Sequence, residues 1–189
     1  MHGILPRALH SSSLQEAVTR TSPTLLKGGA SCDSMNCAGE NAWDIAMKAS
    51  NAELMRGMHE WAQIKPDLDT ALVDMARDGN LSSAKILVEM KAHVSSQSQR
   101  RNKTALMVAA SKNNPQMLNF LIDAKVPLND ADAHGQTALH HAARGCCVDA
   151  IEVLRGAGAA IDVCDGKGRT ALMYLARADQ RGALKCLLE

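Results

Sequence analysis

Apolar positions in this chain come in paired bursts separated by short polar stretches. Thr104-Ala105-Leu106-Met107 returns as Thr137-Ala138-Leu139-His140 and again as Thr170-Ala171-Leu172-Met173, 33 residues apart each time. Thr70-Ala71-Leu72-Val73 stands 34 residues before the first of these, and Asn41-Ala42-Trp43-Asp44 another 29 before that. Each tetrad runs into alanine: Ala46, Ala76, Ala109-Ala110, Ala142-Ala143 and Ala176. A second apolar burst follows, as in Met117-Leu118-Phe120-Leu121-Ile122 and Ile151-Val153-Leu154, then a small-residue turn such as Gly156-Ala157-Gly158-Ala159. A repeat of this length is one supersecondary unit that buries its apolar face only by stacking on its neighbours.

The residue types predict two helices per unit. Asn41, Thr70, Thr104, Thr137 and Thr170 have side-chain oxygens suited to accepting N–H bonds at a helix start, so each is expected to cap a short first helix. Alanine on the inner face of that helix lets the next unit approach closely. The second helix carries Leu, Ile or Met at i, i+3 and i+4. Between the helices Ser50, Gly79, Asn113, Cys146 and Asp179 occupy a position expected to need positive φ, which Gly, Asn and Asp tolerate best. Cys146 is the awkward member there, at a cost of about 1 kcal/mol. Asn114-Pro115 reads as a cap followed by proline in the first helical turn.

These residues resemble the ankyrin repeat family. The fullest match begins at Asp132, Gly135, Thr137, Leu139, His140, Ala142 and Ala143. It continues through Ile151, Leu154, Gly158, Ala159, Ile161 and Asp162. The resemblance implies an all-α solenoid of stacked helix-turn-helix units joined by short hairpin-like loops. The array is read as 34–189, with units at about 34–65, 66–98, 99–131, 132–164 and an incomplete 165–189. Residues 1–33 form an N-terminal segment with a degenerate capping unit at about 9–33, where Ser13 and Glu16 fit a capping box. The family's proline after the capping threonine is alanine here at 42, 71, 105, 138 and 171. The hairpin around Lys65-Pro66-Asp67 is short, and the stretch from Ser96 to Lys103 is longer than the family pattern by one residue. The chain stops at Leu187-Leu188-Glu189, where a second helix would end, so it is expected to be part of a longer protein.

Composition narrows the picture further. Trp43, Trp61, Phe120 and Tyr174 are the only aromatic residues, so alanine, leucine and methionine must do the packing. That disfavours β-rich sandwiches and single-strand nucleic-acid platforms, which stack bases on aromatic rings. Trp43 takes the inner position of its first helix and Trp61 ends the second helix of the same unit. The six cysteines, at 32, 37, 146, 147, 164 and 186, match no disulfide framework and read as free thiols in a reducing compartment. No apolar run approaches the roughly 18 residues of a membrane span. Residues 1–22 carry Arg7 and Arg20 against Glu16 as sole acid, faintly like a transit peptide, but the capping unit explains the same residues better. The expected location is the cytoplasm or nucleus.

Few residues suggest chemistry. His140, His141, Cys146 and Cys147 form one metal-like cluster, but adjacent residues rarely share an ion. His140 instead matches the family histidine that hydrogen-bonds between units. There is no G-x-S-x-G, P-loop or H-E-x-x-H. Asp44 and Asp74 read as solvated or paired between units. No enzyme activity, metal or cofactor is expected.

The resemblance implies a binding face instead, a concave surface of hairpin tips and first-helix ends. In units three to five it would present Arg100, Arg101, Lys103, Lys112, His134, Gln136, Arg144, Lys167, Arg169 and Arg177, with lysine and arginine but no acid. Asp67, Asp69 and Asp78 make the second unit acidic, so a net charge of +1 averages a polarised surface. Complementary potentials steer and select partners. The expected function is a non-catalytic, monomeric protein-interaction module whose basic units hold an acidic segment of a partner protein. The alternative is the regulatory or targeting ankyrin region of a larger enzyme or channel. Nucleic-acid binding is disfavoured by the acidic second unit.

Overall fold

The computed structural model describes residues 35–61, 67–90, 92, 97–98, 102–177 and 182. The capping unit at 9–33, the 1–22 stretch, Lys65-Pro66, Arg100, Arg101 and Asp179 lie outside the described residues, as do the side chains of Trp61 and Arg177. The chain divides into two units, Met1–Pro66 and Asp67–Glu189, each described by itself.

In the first unit, helix α1 (Ala42–Lys48) is followed by α2 (Ala52–Trp61). Asn41 Oδ1 accepts from Asp44 N at 2.9 Å, and Asp44 Oδ2 accepts from Asn41 N at 3.1 Å. This reciprocal cap satisfies two helix-start donors and shows that Asp44 serves the helix start. Ser50 turns the chain between the helices at φ 51°. Trp43 is buried, as are Ala46, Met47, Leu54, Met55 and Met58.

The second unit contains α3 (Leu68–Asp78), α4 (Leu81–Glu89), a two-residue antiparallel pair β1 (Gln97–Ser98) and β2 (Lys103–Thr104), α5 (Ala105–Ser111), α6 (Pro115–Asp123), α7 (Ala138–Arg144), α8 (Val148–Gly156) and α9 (Ala171–Arg177). The first helices stack in series, α3 on α5, α5 on α7 and α7 on α9, and α6 packs on α8. Alanine makes this possible: Ala71, Ala76, Ala105, Ala109, Ala110, Ala138, Ala142, Ala143 and Ala171 are all buried. Leu118, Leu121, Ile151 and Leu154 fill the layer beneath. Each such side chain contributes about 1.5–3 kcal/mol on burial.

Most local expectations hold. Thr104 Oγ1 accepts from Met107 N, and Asn114 Oδ1 from Met117 N ahead of Pro115. Gly79, Asn113 and Cys146 have positive φ, at 74°, 53° and 54°. Asn113 also reaches the next repeat, where its Oδ1 accepts from Ala150 N at 3.0 Å and its Nδ2 donates to Asp149 at 2.9 Å. One cap differs. Asp67, not Thr70, starts α3, accepting from the N–H groups of Asp69 and Thr70. Thr70 sits inside the first turn and donates its hydroxyl to Asp67 at 2.6 Å. A carboxylate accepts more strongly than a hydroxyl and favours the positive end of the helix dipole, so the helix begins earlier.

Candidate functional site

The hairpins that precede α7 and α9 share one device. Asp132 Oδ1 accepts from His134 N at 2.8 Å and Gln136 N at 3.0 Å; Asp165 Oδ1 accepts from Lys167 N and Arg169 N, both at 2.9 Å. Asn36 does the same for Ala38 and Glu40 in the first unit. An Asx side chain thus mimics a backbone turn and fixes each tip.

The remaining oxygen of each aspartate meets a different partner. Asp132 Oδ2 faces His141 Nε2 at 2.9 Å, with both side chains buried. Burial pushes the His141 imidazole down to about 4, against the pull of Asp132, while Lys103 and Arg144 reinforce burial. Burial also pushes the Asp132 carboxyl up, but the bonds from Gln136, His134 and His141 outweigh it and leave it below its ordinary value. A neutral imidazole facing a carboxylate must donate from Nε2. Nδ1 therefore keeps a lone pair, and it faces Arg144 Nη2 at 3.4 Å. Arg144 Nη1 lies 3.4 Å from Gln136 Oε1.

Asp165 Oδ2 accepts instead from Arg169 Nη2 at 2.8 Å, Arg169 Nε at 3.1 Å and the Tyr174 hydroxyl at 2.7 Å. The Arg169 side chain holds the Asp165 carboxyl far below the usual carboxylate range. The same guanidinium lies 4.7 Å from the centroid of the Tyr174 ring. Gln136 Nε2 donates to the Tyr174 hydroxyl at 2.6 Å, so one hydrogen-bonded chain joins the two hairpins. His140 adds another link across the units, with Nδ1 accepting from Thr137 N and Nε2 3.0 Å from Arg169 O.

The tips themselves touch. Gly166 N donates to His134 O at 2.8 Å. Gly135 has φ +73°, and a Cβ there would stand 2.7 Å from Gly166 N, so only glycine fits. Beside this contact opens a cleft of about 460 Å³, lined among others by His134, Gln136, Arg144, Asp165, Lys167 and Arg169.

The cleft gathers five of the basic or polar positions read from the sequence. His134, Arg144 and Lys167 are exposed, Arg169 is half-buried and Gln136 is buried. Lys112 is exposed beyond the end of α5, and Lys103 is half-buried in β2. Elsewhere charges cancel locally: Lys48 pairs with Glu40, and Arg77 with Asp74 of its own helix. The roles of the buried aspartates and of His141 escaped sequence reasoning, although Asp132, Asp165 and Asn36 each stand five residues before a capping position. The metal-like cluster separates into individual roles. His140 and His141 have the partners above, and Cys147 is buried with its Sγ 3.9 Å from Ser111 O. Among the described residues no group of three His, Cys, Asp or Glu could hold a metal ion. None of the helices described is long and apolar enough to cross a membrane.

A family model described as ankyrin repeats (3 copies) matches residues 72–163, and a second, ankyrin repeats (many copies), matches 139–188. The chain belongs to the ankyrin repeat family. Among the solved structures that resemble its fold are two ankyrin repeat domains. One is an ankyrin repeat domain from Acinetobacter baumannii, 23% identical, with a TM-score of 0.71 over 95% of this chain and 97% of that one. The other is the ankyrin repeat domain of Bcl-3, a member of the IkappaB protein family, 22% identical, with a TM-score of 0.75 over 93% and 81%. None of the curated proteins compared with the chain matches it. Ankyrin repeats are generally protein–protein interaction modules, typically without catalysis.

Proposed function

We propose that this chain is a non-catalytic protein-interaction module. The hairpin tips and first-helix ends of the units at about 99–131, 132–164 and 165–189 hold an acidic segment of a partner protein. The observation that carries this reading is the cleft between the fourth and fifth hairpins, where Arg144 and Lys167 are exposed and neither forms an ion pair with a described residue. Lys112 extends the same positive character one unit back. Arg100, Arg101 and Arg177 are assigned to this face from the family pattern. The module is monomeric and works in the cytoplasm or nucleus. Cys37, Cys146, Cys147 and Cys164 are free, which suits a reducing compartment.

The test is affinity capture with the wild type beside a triple reversal, Lys112→Glu, Arg144→Glu and Lys167→Glu. The wild type is expected to retain acidic partners in a salt-sensitive way and the variant to lose them. Unchanged partners with unchanged salt dependence would refute the reading.

A further inference from the structure

The two arginines of the cleft differ in a way their exposure does not reveal. Arg169 donates twice to Asp165, so its charge is matched within its own hairpin. Arg144 is held only by neutral acceptors, Gln136 Oε1 and His141 Nδ1, each at 3.4 Å. Those contacts orient the guanidinium without cancelling its charge. His141 can act in this way because Asp132 binds its other nitrogen and burial keeps the ring neutral.

The backbone of the cleft narrows the ligand chemistry. Phosphate sites built on loops use free backbone N–H groups converging on the anion. Here those groups are engaged. Asp132 Oδ1 takes His134 N and Gln136 N, His134 O takes Gly166 N, and Asp165 Oδ1 takes Lys167 N and Arg169 N. Side-chain donors remain, above all the planar fork of Arg144, which matches a carboxylate.

We propose that the cleft between the fourth and fifth hairpins seats a single aspartate or glutamate side chain of the partner, bound by Arg144 with Lys167 beside it. Arg144 is the specificity-determining cation; His141 and Gln136 are positioning residues behind it. The inference rests on the proposed acidic partner but makes a narrower claim. One pocket, rather than diffuse surface charge, does the recognition.

A fluorescein-labelled, glutamate-rich peptide, its glutamine counterpart and a phosphoserine counterpart serve as probes, read by fluorescence anisotropy at low salt. Arg144→Gln is expected to weaken the glutamate peptide about tenfold. Lys112→Gln should weaken it about twofold, and Lys85→Gln on α4 should leave it unchanged. The glutamine peptide should bind none of the four proteins. Thermal melts of the variants, matched to wild type, separate lost binding from lost folding. Equal losses for Arg144→Gln and Lys112→Gln would overturn the pocket while sparing the acidic-partner reading. So would a phosphoserine peptide binding tenfold tighter than glutamate. A glutamate peptide that binds no better than the glutamine one would overturn both.

Discussion

In the fourth hairpin the turn aspartate meets a buried, neutral imidazole; in the fifth it meets a half-exposed guanidinium and a phenol. Both aspartates fix their tips through the same pair of backbone N–H bonds. The difference lies in where positive charge ends up. In the fifth hairpin Asp165 captures Arg169. In the fourth, Asp132 captures no cation, and Arg144 is oriented with its charge intact. Counting arginines on a surface therefore overstates how many are available to a partner. The acceptor behind each one decides.

The comparison breaks most readily at the aspartates. Asp132→Ala would leave His134 N, Gln136 N and His141 Nε2 without their acceptor, the last two in a buried setting, at about 3 kcal/mol or more. Asp165→Ala should lower the unfolding midpoint less, because water reaches its partners. Thermal denaturation of the two variants decides the matter, and equal drops would erase the distinction between the hairpins.

A smaller effect is set by pH. The unfolded imidazole binds a proton near its ordinary value of 6.5, whereas folded His141 binds one only at about 4. The unfolded state therefore holds more protons throughout that interval, and stability falls as pH drops through it, by roughly 3 kcal/mol at the limit. His141→Gln keeps a donor for Asp132 but has nothing to titrate. Its stability should decline less between pH 6.5 and 4 in denaturant titrations. Parallel curves would show that His141 is not held neutral. The smallest change is Tyr174→Phe, which removes one bond to Asp165 and one from Gln136 while keeping the ring. A loss of about 1 kcal/mol is expected, shared by the two hairpins that the phenol joins. Hydrogen exchange at Lys167 and Arg169 would register it.

The fold was legible because its determinants are local and repeated. Threonine or asparagine marks helix starts, alanine sits where helices touch, and Gly79, Asn113 and Cys146 turn the chain at positive φ. Thr70 misled because Asp67, a stronger acceptor, stands three residues upstream. The basic character of this face was legible too, and five of the ten positions named from the sequence, His134, Gln136, Arg144, Lys167 and Arg169, line one cleft. Its internal economy was not. Gln136 reads as a surface residue but is buried, bonded to a tyrosine 38 residues away. Arg169 reads as a free cation but belongs to Asp165. Such assignments depend on which tip meets which, and periodicity does not encode that.

The bond from Gly166 N to His134 O has a bearing on recognition. It joins main chain to main chain beside the cleft, with no room for a side chain at Gly135. The spacing between the two walls is thus a property of the backbone, independent of rotamers. A partner meets an aperture already set to size, so little ordering is left for binding to impose. Variation in Arg144 or Lys167 would then alter what is admitted without altering the gauge.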